Sequence, residues 1–94
     1  MNMEHYLIIK FKENVDARKE FPEIQKLFEK AKEIDGVTRA DVYLSSFPLK
    51  NRYDMMIKIK MRKGTLPSFE ESAINKIWEE NYKDKIEIVT VFDR

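Results

Sequence analysis

The chain has 94 residues, enough for one hydrophobic core and too few for two, so a single domain spanning 1–94 is expected. Its 18 lysines and arginines stand against 17 aspartates and glutamates, a balance that gives no reason for a polyanionic partner such as nucleic acid. With no cysteine, disulfides, thiolate metal sites and thiol nucleophiles are excluded, and no run nears the roughly 20 apolar residues that a membrane-spanning helix requires.

At the start of the chain, Glu4 and His5 precede only three apolar residues. That is not the basic-then-apolar layout of a secretory signal, and a soluble cytoplasmic protein is expected. His5 to Lys12 reads as the first strand. Side chains alternate between faces along a strand, so His5, Leu7, Ile9 and Phe11 share one face, and Tyr6, Ile8, Lys10 and Lys12 the other. Both faces carry apolar surface, so the strand must be covered twice. Glu13 to Asp16 reads as a loop, with Asn14 or Asp16 available to cap a helix. Phe21, Ile24, Leu27, Phe28, Ala31 and Ile34 recur at offsets of three and four, the stripe of an amphipathic helix. Pro22 predicts a helix start near that residue, or a short turn over Ala17–Glu20 joined to it at a kink. Asp35-Gly36 ends the helix.

Val37 to Phe47 forms the second strand, with Ala40, Val42 and Leu44 on its apolar face. A turn-rich connection with Pro48 and Asn51 leads to the third, Tyr53 to Met61, whose Met55, Ile57, Ile59 and Met61 line one face. Ser68 and Glu71 have the spacing of a capping box, predicting a helix that carries Phe69, Ala73, Ile74, Ile77, Trp78 and Tyr82 inward. Ile86 to Phe92 is the last strand, with Ile88, Thr90 and Phe92 on one face and Val89 and Val91 on the other. This order is that of an α+β, ferredoxin-like βαββαβ domain. Its four-stranded antiparallel sheet has both helices on one face and strands one and three in the middle. If the His5 row faces the helices, Tyr6, Ile8, Met56, Val89 and Val91 are expected on the open face. So much apolar surface calls for a cover, and a homodimer pairing the two open sheet faces, a dimeric α/β barrel, supplies it.

The sequence resembles the Dabb family of stress-responsive dimeric α/β-barrel domains over nearly its whole length. The resemblance rests on His5 to Lys12, on Gly36-Val37 before the second strand and on Tyr53-Asp54 opening the third. It continues in Ser72 followed by Trp78, and in Phe92-Asp93 at the end. It implies a ferredoxin-like fold, a sheet-to-sheet homodimer and a pocket between sheet and helices. A plant member of the family is a polyketide cyclase that uses a histidine of the first strand and one from the second helix region. His5 matches the first; the second falls near Asn75, and asparagine exchanges no proton near neutral pH.

His5 is the only side chain whose unperturbed pKa lies near neutrality, which makes it the candidate acid or base. A lone histidine at a strand start more often serves the structure. Leu7, Ile9, Ile57, Asn75, Trp78 and Tyr82 are the candidate lining of a ligand pocket, although a Trp78 stripe at helical spacing is more often plain core. Tyr43, Tyr53 and Tyr82 can assist by hydrogen bonding. One histidine without clustered carboxylates makes no metal site, and no cofactor is expected. Histidine, asparagine and tryptophan also serve the dimeric haem-degrading monooxygenases of this fold, but on different elements. Lys58, Lys60, Arg62 and Lys63 cluster without the strand aromatics that RNA-binding sheets use. Two functions remain. One is a structural, stress-related or small-hydrophobe-binding homodimer without turnover. The other is a cofactor-free enzyme, cyclase-like or monooxygenase-like, acting on a hydrophobic carbonyl compound with His5 as base.

Overall fold

Strict alternation in the first and third strands sets the architecture. In the computed structural model, which describes residues 1–94, β1 (Asn2–Phe11) buries His5, Leu7, Ile9 and Phe11 on one side. β3 (Met55–Arg62) buries Met55, Ile57, Ile59 and Met61 on the same side. These two strands pair antiparallel at the centre of a sheet, flanked by β2 (Val37–Leu44) and β4 (Ile86–Asp93) in the order β2-β3-β1-β4. Helices α1 (Ala17–Glu29), α2 (Leu66–Glu70) and α3 (Ala73–Tyr82) bring Ile24, Phe28, Phe69, Trp78 and Tyr82 onto that apolar side. The ferredoxin-like βαββαβ expectation holds, with both crossover segments on one face.

The helix boundaries differ from those expected. α1 starts at Ala17, where the Asp16 carboxylate accepts the Arg18 N–H at 3.0 Å, and it runs through Pro22. The proline forfeits one backbone bond in the second turn, and the helix tightens into a 3-10 turn over Lys30–Glu33. The second crossover is broken. The Ser72 hydroxyl donates to the Phe69 carbonyl at 2.6 Å and accepts the Asn75 N–H at 3.2 Å, capping α3. Ser68 caps nothing, because it lies inside α2, whose first turn Pro67 favours instead. The helical stripe through Phe69 and Trp78 is therefore carried by two short helices.

Gly36 joins α1 to β2 with a φ of +97°, and a Cβ there would run into the buried side chain of Thr65. The turn needs glycine on both counts.

β4 corrects the expected face assignment. Its register with β1 pairs Leu7 with Val91 and Ile9 with Val89, and directly paired residues lie on the same side of a sheet. Val89 and Val91 thus face the helix side, and Ile88, Thr90 and Phe92 face the open side with Tyr6 and Ile8. The two valines are nevertheless 41% and 54% exposed, because β4 is an edge strand that the helical layer leaves uncovered.

Candidate functional site

His5 sits near the start of β1 opposite Asp93 at the end of β4. Its imidazole is buried, packed against the Phe69 ring at 5.8 Å, and its Nδ1 is hydrogen-bonded to Asp93 Oδ1. A carboxylate can only accept, so Nδ1 carries the proton and Nε2 of the neutral ring is left as an acceptor. Nε2 takes no bond within the chain, and no buried side-chain nitrogen or oxygen lacks a partner, so this atom reaches the surface. The result is a largely buried imidazole fixed in one tautomer, with its free nitrogen in contact with solvent. Beside it, Val91 and Val89 extend an uncovered apolar shelf along β4, continuous with Leu7 and Ile9 of β1.

The other expected lining residues are buried. Leu7, Ile9, Ile57, Trp78 and Tyr82 belong to one hydrophobic cluster. The Trp78 indole packs edge-on against Phe28 at 5.3 Å and stacks on Tyr82 at 5.0 Å. Burial, with Glu23 and Glu20 adding to it, pushes the Tyr82 phenol above its ordinary range. The Asn75 side chain donates to the Glu70 carbonyl and to Glu79 Oε1, both at 3.1 Å, which ties the start of α3 to α2. Tyr53 acts on the other side of the sheet, its hydroxyl 2.7 Å from Thr90 Oγ1.

Two surface cavities lie away from His5. One, of about 1140 Å³, opens where the β1–α1 and β2–β3 loops meet, around Lys12, Asp16, Arg18 and Leu49. The other, of about 780 Å³, is the groove between α1 and α3 and touches Tyr82. No cluster of histidine, aspartate and glutamate suited to a metal ion is present, and no helix is long and apolar enough to cross a membrane.

The sequence holds a signal for the partner of His5. Alternation places Asp93 in the row of Val89 and Val91, and antiparallel neighbours bring the end of β4 to the start of β1. Both rows of β4 are apolar, so only its pairing with β1 brings that signal out.

No family model and no curated protein matches the sequence. Solved structures match the fold. A dimeric protein of unknown function and ferredoxin-like fold from Bacteroides fragilis has a TM-score of 0.82 at 10% identity, over 99% of this chain and 94% of that one. A Dabb family protein with a ferredoxin-like fold from Mesorhizobium loti has a TM-score of 0.66 at 14% identity, over 99% and 94%. The hydroxynitrile lyase of Passiflora edulis has a TM-score of 0.76 at 10% identity, over 99% and 91%. At such identities the likeness is one of fold: the chain is a ferredoxin-like domain whose structural neighbours include dimeric proteins and a Dabb family protein.

Proposed function

We propose that two copies of this chain pair through their open sheet faces, and that each copy holds a small hydrophobic molecule on the helix side without converting it. The observation that carries the reading is the uncovered Val89–Val91 shelf beside an imidazole fixed by Asp93. The shelf suits an apolar body. Nε2 suits a phenol or enol hydroxyl, which donates to it. Leu7 and Ile9, the β1 partners of Val91 and Val89, are buried beside the shelf. Ile57, Asn75, Trp78 and Tyr82 back it as core and would line the pocket more directly if the short helix α2 shifted on binding. Fold neighbours described as dimeric support the pairing, and the resemblance to the stress-responsive Dabb domains suggests a cytoplasmic, stress-related role.

A second reading draws on the same pair. A carboxylate that fixes an imidazole's tautomer is how many histidine bases are oriented, so His5 could remove a proton from a carbonyl compound. The lyase among the fold neighbours is compatible with this. Asn75 supplies no second proton carrier, so binding is preferred.

The test is a titration with phenols and polyketide-like aromatics, followed by thermal shift and by Trp78 fluorescence. His5→Ala should weaken binding by about 0.5–1.5 kcal/mol, the worth of one hydrogen bond, with the fold intact. If no compound shifts wild type or variant, the binding reading fails. If wild type converts a compound that His5→Ala leaves untouched, the catalytic reading replaces it.

A further inference from the structure

Asp93 closes an edge strand, where backbone pairing is weakest and ends fray. Yet the His5 site depends on its side chain staying in place. On the opposite side of the sheet, its neighbours are held unusually well. Arg94 and Glu4 exchange both backbone bonds, Glu4 N–H to the Arg94 carbonyl at 2.8 Å and Arg94 N–H to the Glu4 carbonyl at 3.0 Å. Arg94 Nε donates to Glu4 Oε1 at 2.7 Å, and Lys58 Nζ to Glu4 Oε2 at 2.9 Å. The Tyr6 hydroxyl adds a bond to Glu4 at 3.2 Å, and the Tyr6 ring packs against Phe92 at 5.9 Å and under the Arg94 guanidinium at 5.8 Å. The residues on either side of Asp93 are therefore anchored to the residues on either side of His5.

We propose that this open-face cluster of Glu4, Arg94, Lys58 and Tyr6 is a positioning device for the helix-side site, holding Asp93 in register so that its carboxylate fixes the His5 tautomer. The inference rests on His5–Asp93 being the functional pair. Strand alternation makes the mechanism direct. Phe92 and Arg94 point to one side and Asp93 to the other, so securing the first two leaves the third no freedom to slide or peel away. Since the cluster lies on the face proposed to meet a second copy, contacts made there would also reach the ligand site through one strand.

Nitrogen-15 NMR of the imidazole tests this, because the two neutral tautomers have distinct nitrogen–proton correlation patterns. Wild type should display the Nδ1–H form, and Asp93→Ala should move the signature toward the Nε2–H form that free imidazoles favour. Glu4→Ala and Arg94→Ala should move it the same way, while Arg94→Lys, keeping a cation for Glu4, should restore most of it. Arg39→Ala, which removes an exposed ion pair with Asp41 on β2, should leave it unchanged. If Asp93→Ala shifts the signature and the Glu4 and Arg94 variants do not, the positioning role is overturned and the site stands. If Asp93→Ala shifts nothing, the pair is not what fixes His5, and both fall. A shift in Arg39→Ala would mean general loosening and would equally overturn the positioning role.

Discussion

Trp78 shows how one residue type supports two readings. Its spacing predicted an inward position, and its rings of contact, Phe28 on one side and Tyr82 on the other, make it core. Trp78→Ala should cost about 3–5 kcal/mol in urea melts, the usual penalty for deleting a buried aromatic. A loss under about 1 kcal/mol, the range of surface positions, would put the indole at an open rim. Glu4 behaves differently, because its role depends on charge. Hydrogen bonds from Lys58 and Arg94 hold its carboxyl down at about 2, from an ordinary 4.5. The groups facing it are Lys58, Lys60 across the strand pair, Arg94 and Tyr6. A lowered folded pKa means that the unfolded chain takes up the proton first. The stabilisation from Glu4 is therefore complete above about pH 4.5 and disappears as pH falls toward 2. Urea midpoints across this window should fall less steeply for Glu4→Gln than for wild type, and parallel curves would deny the carboxylate this role.

At the scale of elements, the sequence was readable where one periodicity dominated. β1 and β3 alternate cleanly, and every residue of their expected helix-side rows is buried. β4 was ambiguous because both its rows are apolar. Only pairing with β1 decides which one faces the helices, and pairing is a tertiary fact. The second crossover was misread for a related reason. Ser68 with Glu71 and Ser72 with Asn75 both offer a capping side chain before a helical stretch, and Pro67 decides between them by belonging in the first turn of α2. The difference is measurable. Ser72→Ala should lose about 1 kcal/mol, as N-cap removal commonly does, while Ser68→Ala should stay within about 0.5 kcal/mol of wild type. Equal losses in chemical denaturation would mean that the cap of α3 has been misplaced. The His5 site was half legible by the same logic: the imidazole was evident as the lone histidine, and its carboxylate lay in the row assigned to the wrong side.

For the molecule as a whole, the open face poses the physical problem. Tyr6, Ile8 and Met56 run across its centre, with Tyr43 at one edge and Ile88 and Phe92 at the other, and the last three are each about half exposed. A twofold mate would cover the patch with itself, and stable interfaces of this kind bury roughly 1,200–2,000 Å². The corrected β4 register sharpens the experiment, since the two sides of one strand should now answer differently. Met56→Lys sets two ammonium groups close to the axis beside Lys58 and Lys60, and should give monomer in light scattering at micromolar concentration. Val89→Lys places its charge on the helix side. It should leave the dimer intact and instead reduce binding of an apolar ligand, because the added ammonium would have to be desolvated on the shelf. Wild-type protein found monomeric at that concentration would end the pairing. A dimer lost in Val89→Lys but kept in Met56→Lys would mean that the copies meet on the helix side, and would remove the ligand shelf with it.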